Sequence, residues 1–305
     1  VTHIPVLLST ASVYPERAAA AFEIAAALGY DGVEVMVWSD PVSQDTDALS
    51  ELSHRYGMPI LAIHAPCLII SQRVWSRDPV TRLHLAVQAA VRVGAATVVV
   101  HPPFRWQRDY SRGFARQVQE LEAHYGVAVA VENMFPLRAR ARQWCPYSQH
   151  WDPSVIGGFS NYTLDLSHAA VARADALDIA ERMGAQLRHV HLGDGTGQGR
   201  DEHLMPGRGN QPCAQLLRQL GERGFTGTVT VEATTRTVDS RQQREAELAQ
   251  ALSFARVHLG YSGLRDPAGG ALGGERGGAL PSLLGSERRG RSGGERVEAV
   301  TERSV

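Results

Sequence analysis

Eight short β-branched runs, each separated from the next by a longer stretch rich in Ala, Leu or Arg, succeed one another through residue 261. That alternation is the pattern of repeated βα units, in which every parallel crossover lays a helix on a sheet. Strands are expected at Ile4–Ser9, Gly32–Val37, Ile60–His64, Thr97–His101, Ala128–Glu132, Tyr162–Asp165, Leu187–Leu192 and Thr228–Glu232. Helical periodicity falls at 15–28, 45–56, 79–93, 111–125, 175–183, 212–223 and 240–259, and is weakest after the fifth strand. Gly29, Gly57, Gly94, Gly126 and Gly184 stand between a helix and the next strand, where a left-handed cap closes a helix at little cost. Eight such units amount to an α/β fold, a single (β/α)8 TIM barrel over residues 1–261. No repeat of fixed period is present, which argues against a solenoid.

Composition supports one globular domain and a tail. The hydrophobic fraction is 43% with only 7% aromatic residues, a core of Ala, Val and Leu. Residues 262–305 differ abruptly: eleven glycines and seven arginines with almost no aromatic or β-branched content, so a disordered tail is expected there. Six acidic residues nearly cancel those arginines, which disfavours a basic arm for nucleic acid. No apolar run reaches the roughly 20 residues a membrane span needs, and no signal peptide opens the sequence. A cytoplasmic location is expected. Cys67, Cys145 and Cys213 are odd in number and lack CxxC spacing, so neither a disulfide framework nor a thiolate zinc site is indicated. The chain has no lysine at all, which removes Schiff-base aldolases, pyridoxal-phosphate enzymes and P-loop ATPases.

The chemistry lies in where the acids and histidines fall. Glu34, His64, His101, Glu132, Asp165, His191 and Glu232 are expected at or near the last residues of strands two through eight. In a barrel those ends converge on one mouth, where barrel enzymes carry their active sites. One polar residue at a strand end more often caps the next helix. Seven in register are different, because charge is depleted from such positions unless something compensates it, and a cation bound by oxygen and imidazole does so. Asp165-Leu166-Ser167-His168 sets a carboxylate at a strand end and an imidazole three residues on, at the start of a helix. Asp201-Glu202-His203, in the glycine-rich loop after strand seven, is expected to place two ligands on one side of an extended segment.

Taken with His64-Ala65-Pro66, Val100-His101-Pro102, Glu132-Asn133, His191-Leu192-Gly193-Asp194, Leu204 with Pro206-Gly207-Arg208-Gly209, and Val231-Glu232, these motifs resemble the xylose-isomerase-like barrel superfamily over residues 3–260. That superfamily includes sugar and sugar-phosphate isomerases and epimerases, inosose-processing enzymes and endonuclease IV. In the isomerase and epimerase branch the resemblance implies one manganese, magnesium, cobalt or zinc ion on Glu132, Asp165, His191 and Glu232. In the endonuclease branch it implies up to three zinc ions on those four plus His64, His101, His168, Asp201 and His203, and all nine positions are filled.

Three departures weigh against DNA repair. The first strand, Pro5-Val6-Leu7-Leu8-Ser9-Thr10, lacks the GxHVSxxGG opening; Cys67 stands where that branch has an aromatic wedge; and the seventh loop has the HLxPGxG form of isomerase-like members. True xylose isomerase relies on a lysine this chain lacks. The expected reaction is therefore metal-dependent proton abstraction beside a carbonyl of a small sugar, polyol or sugar phosphate. The alternative is a zinc phosphodiesterase acting on abasic DNA, and a non-catalytic binding protein ranks third. Glu132 and Glu232 are expected as the acid/base pair facing each other across the mouth, with His203 and Arg208 orienting substrate. Arg138, Arg140 and Arg142 with Trp144 and Trp151 form solvated surface, a substrate lid or, least favoured, a DNA-backbone contact. A small carbohydrate is the expected partner, and the oligomeric state is left open, a homo-oligomer included.

Overall fold

The computed structural model describes residues 3–71, 73–139 and 142–261. Ten strands are present among them: β1 Val6–Ser9, β2 Gly32–Met36, β3 Ile60–His64, β4 Thr97–Val100, β5 Ala128–Glu132, β6 Leu137–Ala139, β7 Arg142–Trp144, β8 Tyr162–Asp165, β9 Leu187–Leu192 and β10 Thr228–Val231. Eight close a barrel in the order β1-β10-β9-β8-β5-β4-β3-β2. Every neighbouring pair in it is parallel. The remaining two, β6 and β7, make a small antiparallel hairpin.

The period of two along each strand decides which side chains face the helices and which face the lumen. Val98 and Val100 of β4, Val129 and Val131 of β5, Val190 and Leu192 of β9, and Val229 and Val231 of β10 join the main apolar core. The residues between them, Val99, Ala130, His189, His191 and Thr230, are equally buried but lie outside that core, in the barrel interior. Continuous burial on both faces is what a parallel sheet covered by helices requires.

The outer layer is α1 Ala18–Leu28, α2 Pro41–Gln44, α3 Thr46–Tyr56, α4 Pro79–Val93, α5 Arg108–Tyr125, α6 Pro153–Ile156, α7 Leu166–Ala172, α8 Ala176–Met183, α9 Cys213–Glu222 and α10 Arg241–His258. Asp45, Asp78, Asp175 and Ser240 accept backbone N–H bonds at the starts of α3, α4, α8 and α10. Four of the five expected glycine caps are left-handed, with φ of 79° at Gly29, 63° at Gly57, 76° at Gly94 and 69° at Gly126. Gly184 is not: its φ of 54° comes with ψ of −131°, because the chain continues into a short 3-10 turn over Gly184–Gln186. After β5 no long helix forms among the described residues, and the hairpin and the four-residue α6 lie in that connection. Tyr261 Oη donates to the Ile4 carbonyl at 2.6 Å, tying the end of α10 to the entry of the barrel.

The tail expected at 262–305 lies outside the described residues, as does Arg140. Among the described residues no helix is long and apolar enough to cross a membrane.

Candidate metal centre

The same alternation that buries the valines turns Glu132, Asp165 and His191 inward at the carboxyl ends of β5, β8 and β9, with Glu232 one residue beyond β10. They meet around one nitrogen. His191 Nδ1 lies 2.9 Å from Glu132 Oε1, 3.2 Å from Glu232 Oε2 and 3.4 Å from Asp165 Oδ2. Glu132 and Glu232 stand across the mouth but not diametrically, their strands β5 and β10 being three places apart in the ring of eight.

The other five sequence candidates flank this point. His64 Nε2 and His101 Nε2 approach Glu132 Oε2 at 3.3 and 3.0 Å. On the opposite flank, Asp201 Oδ2 receives His168 Nε2 at 3.2 Å and His203 Nε2 at 2.9 Å. Asp165 serves twice: it caps α7 by accepting the His168 N–H at 2.7 Å, and it turns its other oxygen to the centre. The DxxH spacing therefore works as a helix start, as expected. The Asp201–His203 segment is not extended, because His203 adopts a positive φ of 42°, with its N–H on Ser167 Oγ and its carbonyl accepting from Thr234.

Hydrogen-bond chemistry tests whether these residues suit a cation. The Nδ1 atoms of His64, His168 and His203 face the carbonyls of Ala65, Asn133 and Glu232 at 3.0, 2.9 and 3.1 Å. A carbonyl only accepts, so each Nδ1 carries a proton, and each Nε2 is left facing a carboxylate. Neutral rings would then aim lone pairs at negative oxygen; something positive must sit between. In the metal-free chain that is a second proton. Burial, the largest influence, pushes the His168 imidazole down, but Asp165, Asp201 and Glu132 outweigh it and raise it to about 10. His64 and His191 are raised in the same way, against burial, by surrounding carboxylates.

The carboxylates diverge. Burial pushes Glu132 up, but His191, His101 and His64 together hold it well below the usual carboxylate range. Burial raises Glu232, and its histidine neighbours do not offset it. Glu132 Oε2 and Glu232 Oε2 are buried without an aligned hydrogen bond. Buried carboxylates and imidazoles that lack good partners, with the oxygen and nitrogen atoms of Asp165, His191 and Glu232 all within 4.8 Å of one another, fit a divalent cation.

Some residues sit elsewhere than the sequence implies, and others gain a role only in the fold. Arg208 is not part of the cluster; its guanidinium pairs with Glu247 of α10 at 2.6 Å. Glu34 is the middle residue of β2 rather than its end, and reaches His191 from beneath. Trp151 is partly buried against the core, whereas Trp144 on the hairpin is 49% exposed. Spacing along the chain gives Asp194 no role. Its carboxylate accepts four backbone N–H bonds, from Gly195, Gly207, Gly209 and Gln211 at 2.8–3.0 Å, and so folds the glycine-rich loop that carries Asp201 and His203. Gly209 is required there, because a Cβ would lie 2.3 Å from Asp194 Oδ1. Asn133 bridges β5 and β8, its amide bonding the backbone N–H and carbonyl of Asp165 at 2.8 and 3.0 Å.

Residues 22–258 match the family model of the xylose isomerase-like TIM barrel. The chain belongs to that family. Within reach of this xylose isomerase-like chain, an uncharacterized protein of Mycobacterium tuberculosis is 53% identical, covering 84% of this chain and 98% of its own length. Fructoselysine 3-epimerase of Escherichia coli O157:H7 is 23% identical over 70% of this chain and 85% of its own. Among solved structures, a D-tagatose 3-epimerase-like protein superposes with a TM-score of 0.62 at 21% identity, covering 84% of this chain and all of the other, a likeness of fold.

Proposed function

We propose that this chain is a divalent-metal-dependent epimerase or isomerase of a small sugar, polyol or sugar phosphate. The observation that carries the reading is the convergence of Glu132, Asp165 and Glu232, from three strands, on His191 Nδ1 of a fourth. Similarity to fructoselysine 3-epimerase supports the same reaction class. These four residues are the proposed ligands of one manganese, magnesium, cobalt or zinc ion. When bound, such an ion supplies positive charge beside an oxygen that becomes negative as a neighbouring C–H proton leaves.

The chain's own residues supply the proton transfer. Glu132 and Glu232, on either side of His191 Nδ1, are the proposed acid/base pair, one removing the C–H proton and the other returning it. His168 and His203 stand on Asp201 at the rim of the same site, where they are suited to hold substrate hydroxyls.

A zinc phosphodiesterase is the second reading, favoured by one observation: His64, His101, His168, Asp201 and His203 also gather there. Two measurements separate the readings. Metal-loaded protein incubated in deuterium oxide with ketoses, inososes and their phosphates is expected to exchange a carbon-bound proton in at least one of them, with one metal per chain. Zinc-dependent nicking of abasic duplex DNA, three metals per chain and no exchange with any sugar would replace the first reading by the second.

A further inference from the structure

Beneath the candidate ligands, the barrel interior holds a second polar layer that proton transfer does not use. Glu34 of β2, His189 of β9 and Thr230 of β10 are buried among the strands, Glu34 and His189 with side chains 0% exposed, and Thr228 at the start of β10 is half-buried beside them. Glu34 Oε1 lies 3.0 Å from His191 Nε2, the ring nitrogen opposite the one that faces Glu132, Asp165 and Glu232. Its other oxygen lies 2.7 Å from His189 Nε2. His189 Nδ1 in turn lies 2.6 Å from Thr228 Oγ1, a hydroxyl that can donate. The chain of contacts is therefore directional: the Thr228 hydroxyl donates to His189 Nδ1, His189 Nε2–H donates to Glu34, and His191 Nε2–H donates to the other Glu34 oxygen.

This arrangement differs from the remaining imidazoles of the site. His64, His168 and His203 rest their outer nitrogens on neutral backbone carbonyls. His191, the ring on which three carboxylates converge, rests on a carboxylate that is itself clamped from its far side. A carboxylate behind a ligating imidazole fixes the tautomer and the ring plane and makes the facing nitrogen a stronger donor. Leaving a charged Glu34 in the barrel interior would be costly without both of its imidazole partners. Nothing in the apolar packing of β2 calls for a carboxylate at that position, since its neighbours Val33 and Val35 join the ordinary core.

We propose that Glu34 is a positioning residue for the metal centre, holding His191 with Nε2 protonated and Nδ1 directed at the cation, and that His189 and Thr228 hold Glu34 in place. The inference rests on the metal-centre reading above and adds to it a three-residue support behind His191.

The test compares wild-type protein with Glu34→Gln and Thr228→Val. A glutamine has one accepting oxygen, so it can serve His189 or His191 but not both. Zinc affinity measured by chelator competition is expected to fall about 10–100-fold in Glu34→Gln, the usual loss for an outer partner of a ligand. In the zinc-loaded wild type, nitrogen-15 NMR is expected to show His191 protonated at Nε2 with a downfield, slowly exchanging ring proton. That signal should be lost or moved upfield in Glu34→Gln, a change that a loss of global stability alone would not produce. Thr228→Val, which keeps shape and removes only the distal hydroxyl, is expected to weaken zinc binding several-fold and carries the test if Glu34→Gln fails to fold. Wild-type zinc affinity in either folded variant, or an unchanged His191 ring proton in Glu34→Gln, overturns the inference alone. A wild-type protein that binds no divalent metal ends the metal-centre reading, and this inference with it.

Discussion

Replacing Asp194 by Asn changes one oxygen to an N–H2 group and should release the loop that brings Asp201 and His203 to the site. Asp194 is fully buried, and each of its oxygens accepts two backbone N–H groups: Oδ1 from Gly195 and Gln211, Oδ2 from Gly207 and Gly209. Whichever way the amide turns, its nitrogen meets two donors it cannot accept, so two of the four bonds are lost. Hydrogen bonds to charged groups contribute roughly 1.5–3 kcal/mol each, and water can reach some of these amides, so the low end applies and the loop should lose about 3 kcal/mol. The backbone pair between Asp194 and Leu204, at 2.8 and 2.9 Å, remains as a hinge. Hydrogen exchange at Gly207, Gly209 and Gln211 should therefore quicken by about 100-fold, each 1.4 kcal/mol being a factor of ten. Global unfolding in denaturant should change less, because the loop opens before the barrel. Exchange at those three amides within about threefold of wild type would show that the carboxylate does not hold the loop, whatever happens to activity.

Three further outcomes follow from the site. Glu232→Gln should lower turnover by about 10²–10⁴-fold, as expected for loss of a proton-transfer group, and lower metal content, with unchanged turnover and occupancy counting against the proposed centre. Adding the correct metal to metal-free protein should raise its unfolding free energy by about 2.7 kcal/mol at a hundred times Kd, a shift that a chelator reverses; absence of any shift with manganese, cobalt, zinc and magnesium would contradict the fit. His168 is raised to about 10 in the metal-free protein, above its unfolded value near 6.5, so its contribution is fully present below about pH 6.5 and is lost as pH rises through 10. Metal-free stability should accordingly decline across that window, and less steeply in Asp201→Asn; identical slopes would mean that Asp201 does not hold the His168 proton.

The eight strands, most helix boundaries and the identity of nearly all the clustered residues were determined by the sequence alone. The reason is local: a parallel strand buried on both faces must be a short β-branched run, a crossover helix must be capped, and a barrel carries its chemistry at the ends of its strands. Asp165 and His168 were legible because a helix start ties residues three apart. What only the tertiary structure decided involves partners distant in sequence. Glu34 looks like another strand-end acid until the register of β2 sets it mid-strand, next to His189 and His191 from 155 and 157 residues away. Arg208 looks like a substrate clamp until α10 offers it Glu247. Asp194 carries no legible role until a loop folds four amides onto it. Which nitrogen of each histidine carries the proton depends on the atom facing the ring from another strand or loop, and no spacing along the chain encodes that.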